Sequence, residues 1–295
     1  MDSVPPFLDV QTLIEASEPR PQISWIHFMV GGFVLAMILS WFIGRGAEEP
    51  ALRQALSTMI GLGLATMIAI MGFVGFITVR RARAEQSALT AVEELIQLRR
   101  WQEAALLLQA MLSRPARSRA GRAQAMLFLA MVLARYHRFE DSVIVHDYVL
   151  ETVPLDDATD HAVRLGRAMS LLREDNLLDA DRAIAEMRRA TRGYESPGLA
   201  LVEIYRDVKT GHPAEAIEMF ESRLSGMRKQ LGHRVADAWG LAARAYDLLA
   251  RPAEALIAYQ NATILAPLGE LVRRYPEISS LSEKYSPAPA PTEVM

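Results

Sequence analysis

Residues 239–267 read WGLAARAYDLLARPAEALIAYQNATILAP, and this stretch decides how the rest of the chain is read. Trp239, Ala242, Ala243 and Tyr246 recur at three- and four-residue steps, which places them on one face of a helix. A turn at Ala250–Arg251 follows, and Pro252 opens a second helix because its missing N–H costs nothing in the first turn. On that helix Ala255, Tyr259 and Ala262 share a face, and Pro267 stops it. Small residues on one helix leave holes for large ones on the other, so the two pack as a close hairpin. A single hairpin cannot bury both of its apolar faces, so neighbours are required.

The sequence supplies them. Second helices are predicted to begin at Arg100-Trp101-Gln102-Glu103-Ala104, Arg138-Phe139-Glu140-Asp141-Ser142, Asn176–Ala180 and His212-Pro213-Ala214-Glu215-Ala216, before the one at Arg251–Ala255. The equivalent small residues are Ala104, Ser142, Ala180, Ala216 and Ala255. Met126, Leu129, Ala130 and Leu133 make a good preceding helix. Arg164 and Arg167 stand in slots that should be apolar, and the set Leu201, Ile204, Tyr205 and Val208 is about one residue out of register. The pattern at Trp239, Ala243, Tyr246, Ala255, Tyr259, Ala262 and Pro267 resembles the tetratricopeptide repeat, departing only where Ala242 replaces the usual Leu. The resemblance covers about 86–267 and implies an all-α solenoid of about five helix pairs. Leu268–Tyr285 is expected to close its end as a capping helix.

Before the repeats lie two apolar runs. Ile23–Ile43 carries no formal charge and has Trp25 and Trp41 near its ends, enough to cross one hydrocarbon core of roughly 30 Å. Ala55–Val79 is a second uncharged run, and the polar connection Gly44–Gln54 between them is short. The expectation is a transmembrane hairpin over 23–79, preceded by a loose tail at 1–22 with one short helix near Leu8–Ala16. The repeat domain spans 80–285 and a disordered tail 286–295. Gly32, Ala36, Ser40 and Gly44 form one row of small residues, and Ser57, Gly61, Ala65 and Ala69 another. Such rows suit close helix contact in lipid, within the hairpin or with a second copy or membrane partner. Arg20, Arg80, Arg81 and Arg83 outnumber Arg45 and Arg53, so the positive-inside rule places both termini and the repeats in the cytoplasm of a bacterial-type inner-membrane protein. Neither Gly nor Pro interrupts the chain from Phe76 to Arg114, so the second membrane helix is expected to run on to about Leu98.

Chemistry is harder to find. The chain has no cysteine, which excludes thiolate sites and disulfides, and its net charge of −3 gives no reason to invoke nucleic acid. His146-Asp147 and Asp156-Asp157 with Asp160-His161 are the dense polar groups. His146 falls in a packing slot, and the acidic group suits helix capping. No zinc or nucleophile motif accompanies them, so neither enzyme, metal nor cofactor is expected.

What the resemblance implies is recognition, since first helices of such repeats line a peptide groove. Its wall would be Leu127, Met131 and Arg135, then Leu165, Met169 and Arg173, then Asp237, Arg244 and Asp247. That wall suits a peptide with hydrophobic anchors and an acidic or C-terminal carboxylate. The Lys/Asn carboxylate clamp of chaperone-binding relatives is not matched. The reading is a membrane-anchored scaffold for protein partners; the alternative is a non-catalytic subunit of a membrane transport, secretion or assembly complex.

Overall fold

The computed structural model describes residues 9–19, 31–34, 37, 38, 41, 50–190 and 196–285. Among these, regular structure is entirely helical. The chain divides into two compact units, residues 1–128 and 129–295.

In the first unit, α1 (Val10–Ala16) is capped by Asp9, whose side chain accepts from the Thr12 N–H. It buries Val10, Leu13 and Ile14. A short helix was expected near Leu8–Ala16 within a loose tail; three apolar side chains on one face hold it in place. α2 (Pro50–Gln97) is one continuous helix of 48 residues, about 70 Å long. It absorbs residues 50–54, expected in the connection, and ends one residue short of the expected Leu98. Among the described residues it is the one helix long and apolar enough to cross a membrane. Met59, Leu62, Ile68, Phe73 and Phe76 all lie exposed along it. The hydroxyls of Thr58, Thr66 and Thr78 each donate to the carbonyl four residues back at 2.8 Å, which keeps these three paired in an apolar setting. The other expected crossing, 23–43, is helical at 31–34, 37, 38 and 41; the rest of it lies outside the described residues.

Beyond its apolar part, α2 buries Leu89 and Val92 and packs on α3 (Trp101–Leu112), which α1 also contacts. α4 (Arg119–Arg135) then carries the chain into the second unit.

The second unit continues with α5 (Phe139–Thr152), α6 (Asp157–Arg173), α7 (Leu177–Ala190), α8 (Pro197–Thr210), α9 (Pro213–Gln230), α10 (Val235–Leu248) and α11 (Pro252–Leu265). Each first helix contacts its own second helix, α6 with α7, α8 with α9 and α10 with α11. First helices also touch one another, α6 with α8 and α8 with α10. Pairs that stack side by side in this way form a solenoid.

The turns are the most regular feature. Arg99, His137, Asp175, Gly211 and Ala250 all take left-handed backbone, with φ of 60°, 61°, 63°, 78° and 56°. In each case the next residue donates its N–H to the carbonyl five positions back, at 2.8–3.0 Å. Two residues after the left-handed position the second helix begins, at Trp101, Phe139, Leu177, Pro213 and Pro252. Three residues further on stand Ala104, Ser142, Ala180, Ala216 and Ala255, every one fully buried. Four of the turns add a side-chain clasp: Arg100–Glu103, Arg138–Asp141 and Arg251–Glu254 at 2.5–2.7 Å, and Asn176–Asp179 at 2.9 Å. Only one of the five uses glycine, and each of the others carries a steric cost of about 1 kcal/mol.

The register problems resolve in place. Arg164 binds Asp160 at 2.6 Å and lies 3.9 Å from Glu186, while Arg167 pairs with Asp147. These half-buried pairs tie α6 to α7 and α5 without displacing its apolar face. In α8, Leu201, Ile204, Tyr205 and Val208 are all buried, as a helix covered on several sides requires.

The closing segment departs from expectation. Leu268–Tyr285 is not one helix but α12 (Leu268–Arg274), a 3-10 turn at Pro276–Ile278 and α13 (Ser279–Tyr285). Pro276 forces Tyr275 out of helical geometry, to φ −138° and ψ 85°.

Candidate binding surface

The broken segment does more than cover an end. It lies across the first helices of the last three pairs, on the face where the groove was expected. Tyr275 is fully buried, its ring edge-on to that of Tyr205 with centroids 4.9 Å apart. Its hydroxyl donates to Asp237 at 3.3 Å, and Arg274 reaches the other oxygen of Asp237 at 2.8 Å. Burial holds the Asp237 carboxyl above the usual range even though Arg274, Arg234 and Arg173 oppose the rise. Burial likewise pushes the Tyr275 hydroxyl up to about 12. Glu277 accepts from the Tyr205 hydroxyl at 3.3 Å and sits 3.5 Å from Lys209, which also pairs with Asp175. Ile278 presses on Gly240, where an added Cβ would lie 2.8 Å from its Cδ1; only glycine permits that approach.

Farther along α10, Asp247 gathers Lys284, the Tyr285 hydroxyl at 3.1 Å and Arg244 at 3.3 Å. Partial burial alone would raise its pKa, but these hydrogen bonds and charges hold it below the ordinary carboxylate range. Arg244 also reaches the Ser280 hydroxyl at 3.1 Å.

The sequence-derived groove residues therefore divide. Asp237, Arg244 and Asp247 come together with the chain's own closing segment. Met169 is buried in the core, and Leu165 is half-buried and meets Gly198, where a Cβ would stand 2.6 Å from it. Leu127 is half-buried in the first unit and Arg135 half-buried in the second. Met131 is 49% exposed. Arg173 stacks its guanidinium between the Phe139 ring at 5.9 Å and the Tyr275 ring at 5.5 Å. Its Nε is buried with no hydrogen-bond partner among the described residues, as is Glu277 Oε2. The sequence could not reveal Tyr205, Lys209, Tyr275 and Glu277 as part of this surface, because the break at Pro276 redirects the chain onto it.

The dense polar groups are structural. His146 is buried against Gly166, where a Cβ would fall 2.5 Å from its Nε2. Burial lowers its pKa to about 4 despite the Ser142 hydrogen bond and the charge of Asp147, with Arg167 adding to the fall. Ser142 links His146 to Ser170 and to the Ala130 carbonyl. Asp156 caps α6 through Thr159 at 2.8 Å. His161 meets the Ser196 hydroxyl at 2.6 Å, and that oxygen accepts the Leu199 N–H as the cap of α8. In the first unit a cleft of about 360 Å³ lies between Gln86, Thr90 and Glu93 of α2 and Ser118, Gly121 and Gln124. Compared with protein-family models and with the curated proteins, the chain matches none.

Proposed function

We propose that the chain is a membrane-anchored, tetratricopeptide-like scaffold that holds protein or peptide partners and performs no chemistry of its own. The observation that carries the recognition half is Arg173, a cation with no direct ion pair among the described residues, at the edge of the surface that the closing segment covers. An acidic side chain or C-terminal carboxylate would supply what its guanidinium lacks. Met131 and Arg135 extend the same kind of lining toward the second repeat, while Asp237, Arg244 and Asp247 are spent on the chain's own end. A photo-crosslinking residue at Met131 should give discrete adducts in the native membrane. Arg173→Gln should cut their yield several-fold, and an unchanged yield rejects the reading.

The anchoring half rests on parity. α1 packs on α3, and Ser17 accepts the Ala116 N–H at 3.0 Å, so the residues before the apolar runs and those after α2 lie on one side of the bilayer. If α2 crosses once, the chain between Ser17 and Pro50 must cross as well, and Ile23–Ile43 is the run long enough to do it. Excess arginine beside Val79 favours the cytoplasmic face of a bacterial inner membrane for that side. The absence of native cysteine makes the test clean. Gln11→Cys and Glu283→Cys, both exposed, should react with an impermeant maleimide from the same side of sealed vesicles. Opposite sides reject the hairpin. A second reading, a non-catalytic subunit docking membrane partners, is favoured by the apolar part of α2, which the rest of the described chain does not bury.

A further inference from the structure

The loop between α3 and α4 and the first residue of α4, RPARSR at 114–119, bring three arginines to a place fixed from two directions. Its Ala116 N–H binds the Ser17 carbonyl at 3.0 Å, and Ser17 stands six residues before Ile23, the start of the first apolar run. Its Ser118 hydroxyl lies 3.5 Å from Glu85 Oε1, and Glu85 stands six residues after Val79, the end of the second. On a helix that interval is about 9 Å, hardly more than the headgroup layer of about 5–8 Å on each side of the hydrocarbon. Arg114, Arg117 and Arg119 are exposed, as are Arg80, Arg81 and Arg83 on the adjoining turn of α2. None of the six side chains has a hydrogen-bond or ion-pair partner among the described residues. Glu85 is the carboxylate that the loop meets there, and it faces the Ser118 hydroxyl and Gly121.

We propose that these six arginines form a docking surface for the headgroups of anionic phospholipids. The inference rests on the two-crossing reading above. Arginine suits the task because its guanidinium can take two phosphate oxygens at once and is always charged. Basic clusters beside a membrane helix are drawn to anionic lipid, and the pull fades within a Debye length of about 8–10 Å. The α2 arginines alone would line one side of the helix. The loop, pinned at Ser17 and Glu85, turns that line into a patch. Lipid held there would brace the stalk against α1 and α4 at the bilayer surface.

The experiment reconstitutes the full chain in nanodiscs of equal phosphatidylglycerol and phosphatidylcholine, then counts retained lipids by native mass spectrometry after release into detergent. The wild-type chain should retain phosphatidylglycerol with about fivefold or greater enrichment. The triple variant Arg114→Gln, Arg117→Gln, Arg119→Gln should fall to near parity, and the matching Lys triple should keep most of the enrichment. Release in about 1 M salt, where the Debye length is about 3 Å, should abolish it for the wild-type chain without any substitution. Equal retention of the two lipids by the wild-type chain, enrichment unaffected by salt, or enrichment surviving in the Gln triple would each overturn the proposal. The same-side labelling of Gln11→Cys and Glu283→Cys reports on the hairpin separately. A failed hairpin therefore shows in labelling, and a failed lipid surface shows in retention.

Discussion

Two sets of arginines, one in each unit, are used in opposite ways. In the second, Arg138, Arg164, Arg167, Arg188, Arg206, Arg251 and Arg274 all hold carboxylates of the same chain. In the first, Arg80, Arg81, Arg83, Arg114, Arg117 and Arg119 hold none among the described residues. A paired, half-buried guanidinium locks one helix to the next. An exposed, unpaired one beside an apolar helix is available to something outside the protein. Composition does not separate the two uses; burial and partners do.

The largest test of that contrast is Tyr275→Ala, which removes a fully buried ring from the surface the closing segment covers. It should lower the denaturation free energy by about 3–5 kcal/mol, with a shifted urea midpoint. Arg274→Gln strips the buried Asp237 of its closest cation and should cost about 3 kcal/mol, because the partner charge stays behind. Arg117→Gln, by contrast, should change stability by less than about 0.5 kcal/mol. Equal losses in the last two would erase the distinction between the two sets.

His146 gives a pH signature of similar size. Its folded pKa of about 4 lies below the ordinary 6.5, so above pH 6.5 neither state binds the proton. Between pH 6.5 and 4 the unfolded chain takes it up while the folded one does not. Stability should therefore fall as pH drops through that window, by on the order of 3 kcal/mol. His146→Gln, which cannot titrate, should flatten the fall in urea midpoints measured from pH 7 to 4.5. The turns provide the smallest effect. Ala250→Gly should stabilise by about 0.5–1 kcal/mol and Gly211→Ala should destabilise by about as much, read as opposite shifts in melting temperature.

The repeat frame was legible because its markers are local. Ala104, Ser142, Ala180, Ala216 and Ala255 recur at nearly constant spacing, and each sits where close helix packing admits only a small side chain. The continuous α2 was legible too, since neither Gly nor Pro falls between Phe76 and its end at Gln97. Two things were not. The short helix near Leu8–Ala16 was expected but its packing was not, because three apolar residues in a short acidic stretch do not reveal that α3 will cover them. The inner surface looked open because occupancy depends on a long-range return of the chain. Pro276 signals a break but not that Tyr275 will land between Tyr205 and Asp237. Met131 is exposed and Arg173 stacks between Phe139 and Tyr275, whereas Asp237, Arg244 and Asp247 turn inward to their own chain.

On the lipid-surface proposal, residues 114–119 sit at the bilayer surface, reached from Ser17 on one side and Glu85 on the other. A nitroxide on Ala120→Cys, at an exposed position beside that loop, measures this directly through its relative accessibility to oxygen and to a water-soluble nickel chelate. The label should report the outer margin of the headgroup layer, within about 10 Å of the hydrocarbon edge, while one on Glu283→Cys should report bulk water. Bulk-water accessibility at both positions would contradict the account.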